Sequence, residues 1–246
     1  MNTKLYCKYF SIIACIWLMT GCATSSNFKS PEMQGKKFGL YVELEQAINI
    51  KTIGTTAITN SEFKVPVENW DQEKLVENAV LSKLSKKYSV VNNPQLNRDR
   101  IKVSWVPFAL SGGEMMINEY PSLKEFIDSN NIDYLIVITE VGSADTNFDT
   151  NQSYSGTGVV QRFLGGKIVG KIHHVFTKVS IHDGKTGKLI NVGPLHEREY
   201  WAEEKQLDKT PYLSASDIKP SDIDRLLSDS AEMLVKNINK QLDIIF

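Results

Sequence analysis

The stretch Tyr134-Leu-Ile-Val-Ile-Thr-Glu-Val141 decides the class of fold. Five apolar residues in a row predict a central strand buried on both faces. A helix is expected just before it: Pro121 stands where a helix can begin, Leu123, Phe126 and Ile127 share one face, and Asn130-Asn131 ends it. A helix feeding a doubly buried strand is the mark of a sheet with helices packed on it.

Upstream, Phe38 to Leu44 alternates and reads as a first strand, and residues 46–69 read as extended, irregular chain. Asn69 with Gln72 resembles a capping box and predicts a helix through about Lys87, with Leu75, Val76, Ala79, Val80 and Leu84 at three- and four-residue spacing. Tyr88 to Val91 reads as a short strand stopped by Asn92-Asn93-Pro94, and Ile101 to Val106 as another.

Downstream, residues 142–158 form a polar loop or hairpin tip, followed by strands at Val159–Phe163 and Ile168–Asp183. In the longer strand Val175, Thr177, Val179 and Ile181 share one face and Lys178, Ser180 and His182 the other. Gly184 to Gly187 turns the chain into a return strand, Lys188 to Val192, and a further strand is expected over His196 to Ala202. Ser221 and Asp224, after Pro220, predict the start of a last helix with the stripe Ile223, Leu226, Leu227, Leu234, Val235, Ile238 and Leu242. The expected architecture is α/β or α+β: residues 38–246 as one domain, a single mixed β-sheet with helices packed mainly on one face. No internal repeat is visible, which argues against a solenoid.

The 246 residues carry 28 Lys+Arg against 29 Asp+Glu, a formal charge of −1. With no basic surplus to condense on phosphates, binding to nucleic acid has no electrostatic drive. The N-terminus, MNTKLYCKYFSIIACIWLMTGC, places Lys4 and Lys8 before a low-polarity run from Tyr9 to Met19 and the small pair Thr20-Gly21 before Cys22. That is the layout of a secretory signal peptide. Read instead as a membrane span, eleven residues at ~1.5 Å each give about 16 Å of helix, half of a ~30 Å hydrocarbon core.

Leu18-Met19-Thr20-Gly21-Cys22 resembles the lipobox of bacterial lipoproteins, with Met19 where Leu, Val or Ile is usual. The resemblance implies cleavage before Cys22, a diacylglycerol on its sulfur and acylation of its new amine. Leu18, Met19, Thr20 and Gly21 would then be the signal-peptidase recognition residues, and residues 1–21 the leader. Ala23 after the Cys, by the same resemblance, implies sorting to the outer membrane, facing the periplasm. All three Cys (Cys7, Cys15, Cys22) lie in this region, so the mature chain has no thiol pair for a disulfide. Residues 22–37 read as a lipidated, flexible tether.

The run Ile181-His-Asp183-Gly-Lys-Thr186-Gly187-Lys188-Leu189 contains D-x-x-T-G-K. It resembles the hairpin of small periplasmic lipoproteins of the curli secretion-channel and penicillin-binding-protein-activator types. That resemblance implies a small sheet with helices on one side.

Chemistry-bearing patterns are sparse. His174 and His182 share strand parity but lie eight residues apart, roughly 26 Å along a strand, His173 faces the opposite way, and no HxH or HExxH occurs. Asp145, Asn147, Asp149, Asn151 and Ser153 space oxygen side chains as a calcium loop does, but Thr150 stands where a Gly is needed and Gly156 where a bidentate Glu belongs. There is no G-x-S-x-G; Ser111-Gly112-Gly113 has no identifiable base; Gly165-Gly166 reads as a tight turn; Trp70, Trp105 and Trp201 read as core. Glu197, Glu199, Glu203 and Glu204, interleaved with Arg198 and Lys205, read as a solvated charged segment. No catalytic residue, metal ligand or cofactor is therefore expected.

The reading is a lipid-anchored envelope protein, attached to the membrane through acyl chains on Cys22, whose domain is a non-enzymatic accessory binding an envelope protein or the cell wall. The alternatives are a periplasmic hydrolase acting on glycan or peptidoglycan through a carboxylate pair, and a subunit of an envelope secretion or export assembly. Cys22→Ala is expected to abolish palmitate incorporation and leave an uncleaved precursor. Normal processing and membrane retention of that variant would overturn the lipoprotein reading.

Overall fold

The computed structural model describes residues 33–68, 70–93, 120–192 and 202–246, with Leu96 and Ile117. Asn69, the expected strand at 101–106 and most of that at 196–202 lie outside the described residues, as do Trp105 and Trp201. The strands are β1 (Lys37–Glu43), β2 (Ala47–Ile53), β3 (Ser61–Pro66), β4 (Ser89–Asn92), β5 (Tyr134–Glu140), β6 (Gly142–Ala144), β7 (Ser153–Ser155), β8 (Thr157–Leu164), β9 (Lys167–Asp183), β10 (Leu189–Val192) and β11 (Ala202–Gln206). The helices are α1 (Gln72–Leu84), α2 (Pro121–Asn130) and α3 (Pro220–Ile245). Among the described residues, no helix is long and apolar enough to cross a membrane.

The sheet is mixed, in the order β3-β2-β8-β9-β5-β1-β4, with β10 and β11 paired to β9. β1 runs parallel to β4 and β5, and β2 parallel to β8, while β9 is antiparallel to every strand it meets. One edge of β9 is taken first by β8 and then by β5. The handover falls at Phe176, whose N–H donates to Gly156 C=O (3.0 Å) and whose C=O accepts from Val141 N–H (3.2 Å). The other edge is taken by β11 alongside Ile172–Phe176 and by β10 alongside Ser180–His182.

Between β11 and β10 the C=O of Thr177 and the N–H of Val179 face a gap. Gln241 of α3 fills it: its carbonyl accepts from Val179 N–H (2.8 Å) and its amide donates to Thr177 C=O (2.8 Å). A side-chain amide thus stands in for the missing stretch of strand.

α1 and α3 cover one face. Val76, Val80, Leu84, Leu234, Ile238 and Leu242 pack on Phe38, Leu40, Val42, Ile136, Ile138 and Val179, and the first half of α3 continues over Ile48, Ile50 and Val159. On the other face Leu123, Phe126 and Ile127 of α2 pack on Tyr41, Leu135 and Val137, while Tyr154 and Phe148 of the β6–β7 hairpin cover Ile53, Val160, Ile172 and Phe176. Two of the three helices share a face, as expected for an α+β domain.

Several boundaries differ from the sequence reading. Residues 46–66 form the β2–β3 hairpin, because Ile48, Ile50 and Val65 have a core to enter. Asp71 caps α1 through Lys74 N–H (2.9 Å), and the helix stops at Leu84. Pro220 occupies the first turn of α3, so Ser221 lies inside the helix rather than capping it. Met33, within the stretch read as tether, is fully buried against the α3 face.

Gln241→Leu keeps the volume but strands two buried backbone groups. An unsatisfied buried group costs about 1–3 kcal/mol, so urea unfolding is expected to show a loss of roughly 2–4 kcal/mol, against a small effect for exposed Lys219→Ala.

Candidate functional site

Cys22, Leu18, Met19, Thr20 and Gly21 lie outside the described residues, as do Ser111, Gly112, Gly113, His196, Glu197 and Glu199. The other chemistry-bearing residues can be placed.

His173, His174 and His182 are buried. His173 Nε2 lies 2.8 Å from Ser230 Oγ of α3, and His182 Nε2 lies 3.0 Å from Ser180 Oγ. The Nδ1 atoms of His182 and His174 face the carbonyls of Gly187 (3.0 Å) and Gly156 (3.1 Å), so both donate. The His174 ring stacks on Phe176 with centroids 4.7 Å apart. Burial pushes His173 and His182 down to about 4, which keeps both rings neutral at neutral pH. The Ser230–His173 pair has the spacing of a nucleophile and its base. Both members are fully buried between α3 and β9, so the pair ties helix to sheet. Among the described residues, no group of three or more His, Cys, Asp or Glu is placed to hold a metal ion.

Asp145 is spent on its own loop. Its carboxylate accepts from the N–H groups of Asn147 (3.0 Å), Phe148 (3.0 Å) and Thr150 (3.2 Å) and from the Thr150 hydroxyl (2.5 Å). Its oxygens face backbone donors, and the segment is the polar hairpin tip. The D-x-x-T-G-K turn is built likewise: Asp183 accepts from Lys185 N–H, Thr186 N–H and the Thr186 hydroxyl, and Gly187 takes φ +73°. These donors outweigh burial and hold the Asp183 carboxyl below its usual value.

The charged segment read as solvated is only partly so. Glu203 of β11 is 9% exposed and braces α3 through Lys236 (2.6 Å) and Lys240 (3.4 Å). Glu204 accepts from the side chain of Asn147 (3.0 Å). A second brace went unseen in the sequence. The fully buried Lys171 donates to Thr210 C=O (2.6 Å), lies 3.5 Å from Asp208 and sits 3.7 Å over the Tyr212 ring.

The carboxyl ends of parallel strands are where open α/β sheets bind ligands. Here β1 and β5 end at Glu43 and Glu140, against the N-terminus of α1. Tyr41 donates to Glu43 (2.9 Å), and Glu73 of α1 accepts from Leu44 N–H (3.3 Å). The buried Gln72 donates to Glu45 C=O (2.6 Å) and accepts from the Thr157 hydroxyl (3.2 Å). Glu140 stands at the centre, where β5 leaves β9. Its carboxyl accepts from Glu45 N–H (3.3 Å) and from Thr157 N–H. Gly156 beside it has φ +63°, and a Cβ there would lie 2.3 Å from Glu140 Oε2.

Burial, opposed by those two N–H groups and reinforced by the charge of Glu45, raises Glu140 to about 7. Glu45 is held by Lys64 (2.5 Å). A carboxyl raised toward neutrality is one requirement of acid–base chemistry, and one that buried structural carboxyls meet as well. Sequence reasoning missed Glu140, because the shift arises first from burial, which only the tertiary structure decides.

The class these observations define is a mixed-sheet α+β domain. No family model matches the chain, and no curated protein matches it. Among solved structures it is similar to the PelC dodecamer from Paraburkholderia phytofirmans, at 10% identity over 84% of this chain and 88% of that one, with TM-score 0.29. It is similar to the lipoprotein GNA1162 from Neisseria meningitidis, at 11% identity over 83% and 98%, with TM-score 0.28. Protein XCC0632 from Xanthomonas campestris gives 5% identity over 85% and 86%, with TM-score 0.31. Likenesses of this size transfer neither function nor assembly.

The raised Glu140 fixes a pH dependence. The unfolded chain ionises this carboxyl near 4.5 and the folded chain near 7, so its contribution to stability falls as pH rises between them. Glu140→Gln removes that fall. Urea midpoints are expected to favour the variant over the parent more at pH 8 than at pH 5; equal differences would overturn the assignment.

Proposed function

We propose that this chain is a lipid-anchored protein of the bacterial envelope, held by acyl chains on Cys22 in the outer membrane and facing the periplasm. Its domain serves as a non-enzymatic accessory that binds another envelope component. The leader carries this reading: Lys4 and Lys8, the apolar run Tyr9–Met19, and Thr20-Gly21-Cys22 have the layout of an export signal, and Leu18 to Cys22 resembles a lipobox with Met19 as its departure. Two or three acyl chains hold a protein on a bilayer, where one alone holds it marginally. Met33, eleven residues after Cys22, packs into the domain. Residues 1–21 contribute Lys4 and Lys8 and no acidic residue, so the mature surface is more acidic than the precursor and attachment depends on the acyl groups.

The accessory role is tested by crosslinking tagged protein in intact envelopes and identifying what it holds by mass spectrometry. One stoichiometric protein or glycan partner is expected. Recovery of the protein alone, across crosslinkers of several lengths, would overturn the role.

The pair of Glu140 near 7 and Glu45 held by Lys64 favours a second reading, a hydrolase acting on glycan or peptidoglycan. Under that reading purified protein releases fragments from labelled peptidoglycan, and Glu140→Gln lowers the rate by about 100-fold or more, the usual worth of general acid–base catalysis. Under the accessory reading neither protein releases any.

A further inference from the structure

The end of the sheet farthest from β1 carries three of the five large apolar side chains exposed among the described residues. Here the β2–β3 turn and the β8–β9 turn lie side by side, because Ile53 pairs with Arg162 in parallel register. Ile58 at the apex of the first turn is 95% exposed, and Leu164 and Val169 flanking the second are 46% and 43% exposed.

The Ile58 turn is rigid. Gly54 N–H donates to Asn60 Oδ1 (2.9 Å), Thr56 N–H to Thr59 Oγ1 (3.1 Å), the Thr59 hydroxyl to Thr56 C=O (2.8 Å), and Arg162 to Gly54 C=O (2.5 Å). A Cβ on Gly54 would lie 1.9 Å from Thr59 Oγ1, so the turn closes tightly on that glycine. Four hydrogen bonds therefore fix a turn whose apex is an isoleucine held out in water.

The charge beside these side chains is predominantly positive: Arg162 and Lys167 stand near Lys51, which pairs with the acidic Glu62 of β3 (3.7 Å). The turns themselves, IGTTAITN (53–60) and FLGGKIV (163–169), contain Lys167 and no acidic residue. At their base Arg162 rests on a backbone carbonyl. Projecting aliphatic side chains with a surplus of cations beside them are what the boundary between acyl chains and anionic head groups accommodates.

We propose that this tip is a lipid-contacting surface, in which Ile58, Leu164 and Val169 enter the interface of an anionic bilayer with Arg162 and Lys167 among its head groups. The tip makes its own membrane contact, independent of Cys22. β1 begins beside the end of β9, through Phe38, Tyr134 and Asp183. The 17-residue β9 therefore sets the tip about 50 Å from it along the strand, at ~3.3 Å per residue. The tip thus gives the domain a second point of attachment at the end opposite its N-terminal linker.

The test uses the mature full-length protein with Ile58→Cys, or with Lys185→Cys in the turn at the opposite end as control, each labelled with an environment-sensitive fluorophore. The protein is mixed with vesicles of phosphatidylethanolamine and phosphatidylglycerol, or of phosphatidylcholine alone, and floated. Wild-type protein should take up no label if Cys22 is acylated, which tests the anchor separately. The expected result is a severalfold rise and blue shift of emission at position 58 on anionic vesicles, none at position 185, and loss of the shift when Leu164→Asp is added. Floated protein with an unchanged probe at 58 overturns the tip and leaves the anchor standing. A shift that appears only when envelope proteins are present assigns the tip to a protein partner and overturns it too. Equal shifts on both vesicle types would refute the role of Arg162 and Lys167.

Discussion

A strand has two edges, and β9 uses both. β8 and then β5 occupy one edge, and β11 and then β10 the other. Each half-sheet ends where the next begins, so the backbone at residues 176–179 must change partners without leaving a donor or acceptor buried and unpaired. On one edge Gly156 and Val141 meet the requirement with their own peptide groups. On the other it is met by the side chain of Gln241. α3 lies across the same junction, its first half over β2 and β8 and its second half over β1, β5 and α1. Its polar positions Ser230, Asn237 and Gln241 are buried against the odd-numbered face of β9. Helix and strand together hold the two half-sheets to each other.

The chemistry of the interior follows from that junction. Glu140 is the last residue of β5 before the handover, so its carboxyl is carried inward beside the turn at Gly156 and receives the N–H of Glu45 and of Thr157. His173 and His174, on successive residues of β9, face opposite layers; one meets α3 and the other the aromatic ring set of Tyr154 and Phe176. Each has a hydrogen-bond partner at one ring nitrogen, and burial keeps His173 neutral at neutral pH. The ionisable residues that invite a catalytic interpretation are therefore, in the first place, the means by which buried backbone and hydroxyl groups are satisfied. Glu140 differs from the rest, because it changes charge near neutral pH.

The sequence patterns read most directly were those set by neighbours along the chain. Tyr134–Glu140, the long strand ending at Asp183, the turn at Gly184–Gly187 and the helix opening at Pro121 were all legible, because alternation, glycine and proline act locally. The faces of β9 were legible too, but not that both would be buried. The residues from 46 to 66 read as irregular because their hairpin gains its stability from Val159, Tyr212 and α3. Glu203 read as solvated because the lysines that neutralise it, Lys236 and Lys240, are on another element.

What the sequence determined by itself is the alternation of helices with a doubly buried strand and the turn chemistry, each fixed by residues within a few positions of one another. The environments of Glu140, Gln241, Lys171 and Ile58 were decided only by tertiary structure. Gln241 meets Val179 from 62 residues away, and Glu140 meets Glu45 from 95. Burial and hydrogen-bond partners are properties of space, and at such separations no local pattern in the chain encodes them.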